Sequence, residues 1–288
     1  MQSPQLLQLS GVGPAALLQD FGIPVVRDLP GVGGNLQDHL QVRVMYEVNQ
    51  PITINDELNS VLGRVRMGME WALRRSGPLA LGINKAGMFC RTLPEENATS
   101  DTQFHVDTVS ADNAASKVHP FSGCTLSVCQ LRPESRGTIR ITSNDPALPP
   151  SIQANYLSTD CDRRTTVAAV KFARKVAATA PLGQYVKREF RPGQDVQTDD
   201  EILEFCRQYG TTIFHPAGTA RMGPAGDPTS VVDAELRVHG LAGLRVVDCS
   251  IMPTLVSGNT NVPAIMIAEK AADMILACSR STRRGHRG

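Results

Sequence analysis

Several features are missing from this sequence, and each absence excludes a class of protein. No stretch approaches the roughly eighteen apolar residues of a membrane-spanning helix; the best run, Val262–Ala268, is broken by Pro263. Met1-Gln2-Ser3-Pro4 contains no basic residue, which argues against a secretory signal. The seven cysteines, at 90, 124, 129, 161, 206, 249 and 278, form no C-x-x-C pair. That pattern fits reduced thiols in a cytoplasmic protein, with neither a disulfide frame nor a metal site. Neither sign of charge dominates: 29 Lys+Arg against 28 Asp+Glu leave +1, so nothing points to a nucleic-acid partner. Arg280, Arg283, Arg284 and Arg287 gather at the C-terminus. That segment, 278–288, is expected to be a disordered basic tail and is the one candidate for peripheral contact with an inner membrane face. The rest is ordinary: 288 residues, 41% apolar and 20% charged, describe a globular chain of one large or two small domains with a real core.

Local patterns give a mixed set of elements. Ser3-Pro4 reads as an N-cap and first helical residue, Pro14 restarts a helix toward Phe21-Gly22, and Ile23–Arg27 and Val42–Val48 read as strands. A helix is expected over about Asn59–Arg75. The β-branched or alternating runs Thr102–Ser110, Cys124–Leu131 and Thr138–Thr142 suggest an antiparallel sheet. Asp160 is expected to cap a long helix through Ala180, and Thr198 with Glu201 forms a capping box for another through Arg207. A strand at Leu244–Val247, a loop over Ser250–Val262 and a helix over Pro263–Ala277, with Pro263 as its first residue, close the pattern.

Three segments carry candidate chemistry. Gly11-Val12-Gly13-Pro14-Ala15-Ala16 matches G-x-G-x-x-A with Asp28 downstream, the dinucleotide-binding fingerprint on paper, and would suit a nicotinamide-dependent enzyme. The run before it, however, reads as a capped helix and not as the buried strand that the fingerprint follows. His215-Pro216-Ala217-Gly218-Thr219-Ala220-Arg221-Met222-Gly223 sets a histidine in a Gly/Pro-rich loop, where catalytic groups concentrate. Asp248-Cys249-Ser250 leads to Ser257-Gly258-Asn259-Thr260-Asn261-Val262-Pro263, where free amides at a helix start would attract an electron-rich group. A plain capped helix with a polar loop would read the same way.

Taken in order, these residues resemble the glucose–methanol–choline (GMC) flavoprotein oxidoreductases. The matching segments are Ser3–Gly13, Gly31–His39, Arg132-Pro133-Glu134-Ser135-Arg136-Gly137, Asn155-Tyr156-Leu157, the His215 loop, Asp248-Cys249-Ser250 and Gly258–Asn261. The resemblance implies an α+β fold: part of an FAD-binding α/β domain plus an antiparallel-sheet substrate domain, with the N-terminal dinucleotide-binding βαβ unit missing. It would place residues 1–41 and 211–277 in the flavin domain and 42–210 in the substrate domain.

For the site, it implies His215 as the group that handles the alcohol proton while hydride passes to flavin N5. Asn259 would donate to the developing alkoxide, and Asp248, Cys249, Asn259, Thr260, Asn261 and Val262 would contact FAD. The implied activity is oxidation of a primary alcohol, with electrons passed to an acceptor other than NAD, such as a quinone. With a single Trp and 5% aromatic residues, the chain has little from which to build a cage for choline's quaternary ammonium. The His215 loop looks more like the family's acceptor-dependent alcohol dehydrogenases, acting on a small, mostly apolar alcohol. Because the fingerprint strand is absent ahead of Met1, the expected alternatives are a half-enzyme that needs a missing N-terminal partner and a non-catalytic fragment.

Overall fold

The computed structural model describes residues 1–82, 84–113 and 116–285. In chain order the helices and strands are α1 (Gln2–Leu9), β1 (Val12–Gly13), α2 (Ala15–Asp20), β2 (Arg27–Asp28), β3 (Leu40–Val48), α3 (Ile54–Asn59), α4 (Val61–Arg74), β4 (Asn84–Cys90), β5 (Thr102–Asp107) and β6 (Gly123–Gln130). They continue as β7 (Thr138–Arg140), β8 (Ser151–Gln153), α5 (Asp160–Ala177), α6 (Ala180–Gly183), β9 (Val186–Arg191), α7 (Asp199–Tyr209), β10 (Thr211–Thr212) and α8 (Asn261–Gly285). Two compact units result. The first takes Met1–His39, Arg132–Thr159 and Ile213–Gly288; the second takes Leu40–Leu131 and Asp160–Thr212.

The second unit is built on an antiparallel sheet in the order β10-β3-β6-β5-β4, with β9 also paired to β3. Strand alternation sorts its side chains onto two faces. Val42, Val44, Phe104, Leu126 and Val128 are buried on one face, against which α5 packs its Val167, Val170 and Ala173 stripe. Phe104 and Phe172 bring their rings to 5.6 Å. The register puts Gln41, Arg43, Gln103, His105, Asp107 and Ser127 together on the other face. α7 starts as its sequence requires: Thr198 Oγ1 accepts the Glu201 amide and the Glu201 carboxylate accepts the Thr198 amide.

In the first unit, β1 and β2 form a parallel pair around α2, and β7 pairs with β8. Its core gathers Val32, Ala220, Val231, Val232, Ile267 and Ala271. Gln8 fastens α1 to this unit from a fully buried position, donating to Ile139 O at 3.0 Å and accepting the Ile141 amide at 2.9 Å.

Several local expectations are corrected. Thr138–Thr142 does contain a strand, but its partner is β8 and not the large sheet. The contact division accordingly takes 132–159 out of the expected substrate segment, because Gly137 exchanges amide bonds with Leu36, and the Ile139 amide donates to Gly33 O. Leu244–Val247 forms no strand, and only an isolated bridge links Arg237 to Arg245. The strand expected at Ile23–Arg27 shrinks to Arg27–Asp28. α1 opens after Met1, leaving the Ser3 hydroxyl free to donate to Asp248 instead of capping. α8 begins at Asn261, so Pro263 falls inside the first turn, where its missing N–H costs nothing. The basic end, expected to be disordered, continues α8 as far as Gly285; Arg287 lies outside the described residues. Among the described residues no helix is long and apolar enough to cross a membrane.

Candidate active site

Three segments of the first unit are zipped together around one histidine. Gln37 and Ala217 exchange backbone bonds at 3.0 and 2.9 Å, setting 35–39 alongside 215–219. The amides of Gly218, Ala220 and Met222 then donate to Cys249, Ser250 and Ile251 carbonyls, adding the Asp248 segment. Gln37 completes the junction, its amide donating to Pro253 O at 3.1 Å and accepting the Leu255 amide at 3.0 Å. Gly218 is required where these strands of loop meet. Its φ is +90°, and a Cβ there would lie 2.5 Å from Asn35 O.

His215 is thereby buried and held from two sides. Its backbone amide donates to Asp38 Oδ1 at 2.9 Å, and its Nδ1 faces His39 Nδ1 at 2.9 Å with the rings nearly perpendicular. Asp38 Oδ1 also accepts the His39 amide, and Oδ2 accepts the Tyr156 hydroxyl. Burial lowers the His215 pKa below its ordinary 6.5, with the Asp38 carboxylate pulling the other way. A neutral imidazole follows at neutral pH. Two facing Nδ1 atoms share one proton, so its ownership decides whether His215 Nε2 is an acceptor or a donor.

Asp248, Cys249 and Thr260 come together as well. Asp248 accepts the Ser250 amide at 2.7 Å and the Ser3 hydroxyl. Cys249 Sγ lies 3.9 Å from Thr260 O. Burial first, then Asp248, raises the Cys249 thiol pKa, which marks it as a packing group and not a nucleophile. Thr260 is buried, whereas Asn259, Asn261 and Val262 are exposed at the start of α8. The first helical bond there is Ala264 N–H to Thr260 O, so the helix itself leaves the Asn261 and Val262 amides unused, and its first turn holds no acid. These residues fit an electron-rich ring edge or a developing anion. Asn259 is not joined to His215 by any of the bonds above.

His39, Asp38 and Tyr156 form a bonded group with His215 that spacing does not reveal. Asp38 and His39 stand in a loop whose motif is visible, yet His215 lies 177 and 176 residues away from them. The G-x-G-x-x-A segment takes a different shape from the fingerprint. Its own Val12–Gly13 is the strand, and the Asp28 carboxylate is engaged by the Ala15 amide at 3.0 Å. Among the described residues no cluster of three or more His, Cys, Asp or Glu could hold a metal ion.

Residues 133–268 match the family model described as GMC oxidoreductase. An oxygen-dependent choline dehydrogenase of Shigella flexneri serotype 5b is 44% identical over 283 residues, which is 97% of this chain and 50% of that protein. Oxygen-dependent choline dehydrogenase 1 of Chromohalobacter salexigens is 42% identical across 95% of this chain and 48% of its own length. Among solved structures, pyridoxine 4-oxidase from Mesorbium loti is 29% identical with a TM-score of 0.78, covering 95% of this chain and 49% of that one. A formate oxidase variant from Aspergillus oryzae is 25% identical with a TM-score of 0.87, over 97% and 53%. The fold is thus the mixed helix and antiparallel-sheet architecture of these flavoprotein oxidoreductases. The chain belongs to the GMC oxidoreductase family, and it spans about half the length of the curated relatives it matches.

Proposed function

We propose that the chain supplies the proton-handling and flavin-facing residues of an FAD-dependent oxidoreductase that converts a primary alcohol to an aldehyde and passes the electrons to an acceptor other than NAD. The single observation that carries this reading is the buried His39–His215 pair, at 2.9 Å between Nδ1 atoms, hung on Asp38. An alcohol oxidation needs a base within hydrogen-bond reach of the hydroxyl, with a pKa near the working pH. Burial lowers the His215 pKa from 6.5 and so keeps its imidazole in the neutral, proton-accepting form. The first requirement is met when its Nδ1–H donates to His39 and leaves Nε2 free to take the proton.

FAD, when bound, supplies the hydride acceptor. Asp248, Cys249, Thr260 and the amides of Asn261 and Val262 are the groups that would hold it, with the positive end of α8 favouring negative charge on its reduced ring. Asn259 would donate to the alcohol oxygen as its charge grows, without contributing charge of its own. The relatives act on choline by name, but a single Trp leaves little aromatic surface for a quaternary ammonium, and a mostly apolar alcohol is the better match. The relatives' names favour oxygen or another direct acceptor over NAD, in line with the unformed dinucleotide fingerprint.

The test is His215→Ala in the assembled holoenzyme, the chain with whatever sequence completes the flavin site. Alcohol turnover is expected to fall about 10²–10⁴-fold while the flavin absorbance remains. Near-normal turnover would end the role given to His215. Reoxidation of the alcohol-reduced flavin by NAD, with formation of NADH, would overturn the choice of acceptor.

A further inference from the structure

One helix of the second unit turns its apolar side to solvent. Of the fourteen residues of α4, all described, Met67 alone is buried. Leu62, Val65, Met69 and Leu73, spaced i, i+3, i+7 and i+11, form one continuous stripe along the helix. They are 77%, 53%, 56% and 77% exposed, and Val61 beside them is exposed as well. Arg66, Glu70 and Arg74 run along one side of the stripe, each one turn after the last. Arg64, Trp71 and Arg75 run along the other, with the Arg75 guanidinium 4.4 Å from the Trp71 ring centroid. Met67 lies between these two rows, so the stripe faces away from the unit that holds the helix.

Single exposed apolar residues are ordinary, but four in one register with basic borders mark a contact surface. The helix also holds its shape without a partner. The Ser60 side chain accepts the Gly63 amide at 3.3 Å, and the Arg75 amide closes the last turn on Trp71 O at 2.9 Å. At 1.5 Å per residue it is about 21 Å long, too short to cross a bilayer core but able to lie along its surface. Charge narrows the choice of partner. Four arginines stand against the single Glu70, so a second copy would bring like charge against like charge. An anionic lipid surface supplies the opposite charge at headgroup level and hydrocarbon directly beneath it.

We propose that α4 is an interfacial docking helix that seats this unit on a membrane containing anionic lipid. Leu62, Val65, Met69 and Leu73 enter the acyl boundary to a depth of roughly 5–10 Å. The arginines on either side reach the anionic headgroups with their long side chains, and Trp71 sits among them at headgroup level. The contact is peripheral and needs no spanning segment.

Flotation of the full chain with vesicles of phosphatidylcholine, alone or mixed with phosphatidylglycerol, tests this. Binding to the mixed vesicles is expected to be at least about 10-fold tighter and to weaken as salt is raised toward about 1 M. Leu62→Glu with Leu73→Glu should lower binding about 10- to 100-fold. Both sites are exposed, so the thermal melt of that variant should match the parent's. Arg66→Gln with Arg74→Gln should reduce the preference for the mixed vesicles while leaving the weaker binding to phosphatidylcholine as it was. No vesicle binding, equal binding to the two vesicle types, or unchanged binding in the folded Leu62→Glu, Leu73→Glu protein would each overturn the proposal. A dimer on size exclusion that the same variant dissociates, with no vesicle binding by the parent, would assign the face to a second copy instead. The readout needs neither flavin nor turnover, so its failure leaves the oxidoreductase reading standing.

Discussion

A carboxylate that accepts two backbone amides and a phenol, as Asp38 does, is a rigid post, and His215 inherits that rigidity through its own amide. The same carboxylate is the one charge that raises the His215 pKa against burial. Asp38→Asn keeps an oxygen for the two amides but removes the charge, so the His215 pKa should fall further below 6.5. The acid limb of a turnover–pH profile, or the NMR titration of the His215 ring, should move to lower pH; movement to higher pH would contradict the account. The stability consequence has a fixed sign. Because the folded imidazole binds its proton less readily than the unfolded one, acidification below about 6.5 should cost stability, and the cost should grow in Asp38→Asn. His215 stood out in the sequence because its Gly/Pro-rich loop falls in the GMC motif order, although its buried contacts did not. His39 was not legible as its partner, because its role depends on a fold that closes a separation of 176 residues.

Elements whose signals are local came through the sequence well. α7 starts where Thr198 places it, α5 takes in Asp160 itself and ends at Ala177, three residues short of Ala180, and β3, β5 and β6 lie within or close to their β-branched runs. What failed was partner choice. Thr138–Arg140 has strand composition, but only backbone bonds to Gly33 and Leu36, remote in sequence, decide that it joins the first unit. Leu244–Val247 is apolar enough for a strand, yet only one isolated bridge forms there, at Arg237–Arg245. The same contrast sets an order of sensitivities. Thr198→Ala removes one local cap and should cost about 1 kcal/mol, a fall in Tm of about 2–4 °C. Gly22→Ala meets open space at φ +67° and carries only the left-handed strain. Gly218→Ala adds to similar strain a Cβ 2.5 Å from Asn35 O, and its Tm should drop further than that of either of the others. Thermal melts of the three proteins check the order, and a Gly218→Ala melt matching Gly22→Ala would mean the zipped loops yield without cost.

The chain enters each unit more than once: 1–39, 132–159 and 213–288 build the first, 40–131 and 160–212 the second. The resemblance to the GMC family implies a chain that crosses between two domains more than once, but motif order could not show that 132–159 belongs to the first unit, since that assignment is made by backbone pairing and not by composition. Interleaving has a mechanical consequence. The loop over Asn144–Pro149 is exposed throughout, so a specific protease site inserted between Pro146 and Ala147 should be cut without disturbing either core. The two pieces would still share both units. In the second, β3 of the N-terminal piece pairs with β9 and β10 of the C-terminal piece. In the first, Gln37 pairs with Ala217, β7 with β8, and Gly33 donates to Thr219 O. The nicked protein should therefore elute as one species on size exclusion in native buffer and separate only in denaturant. Independent elution of the two pieces under native conditions would show that the pairings across the cut do not hold the interleaved chain together.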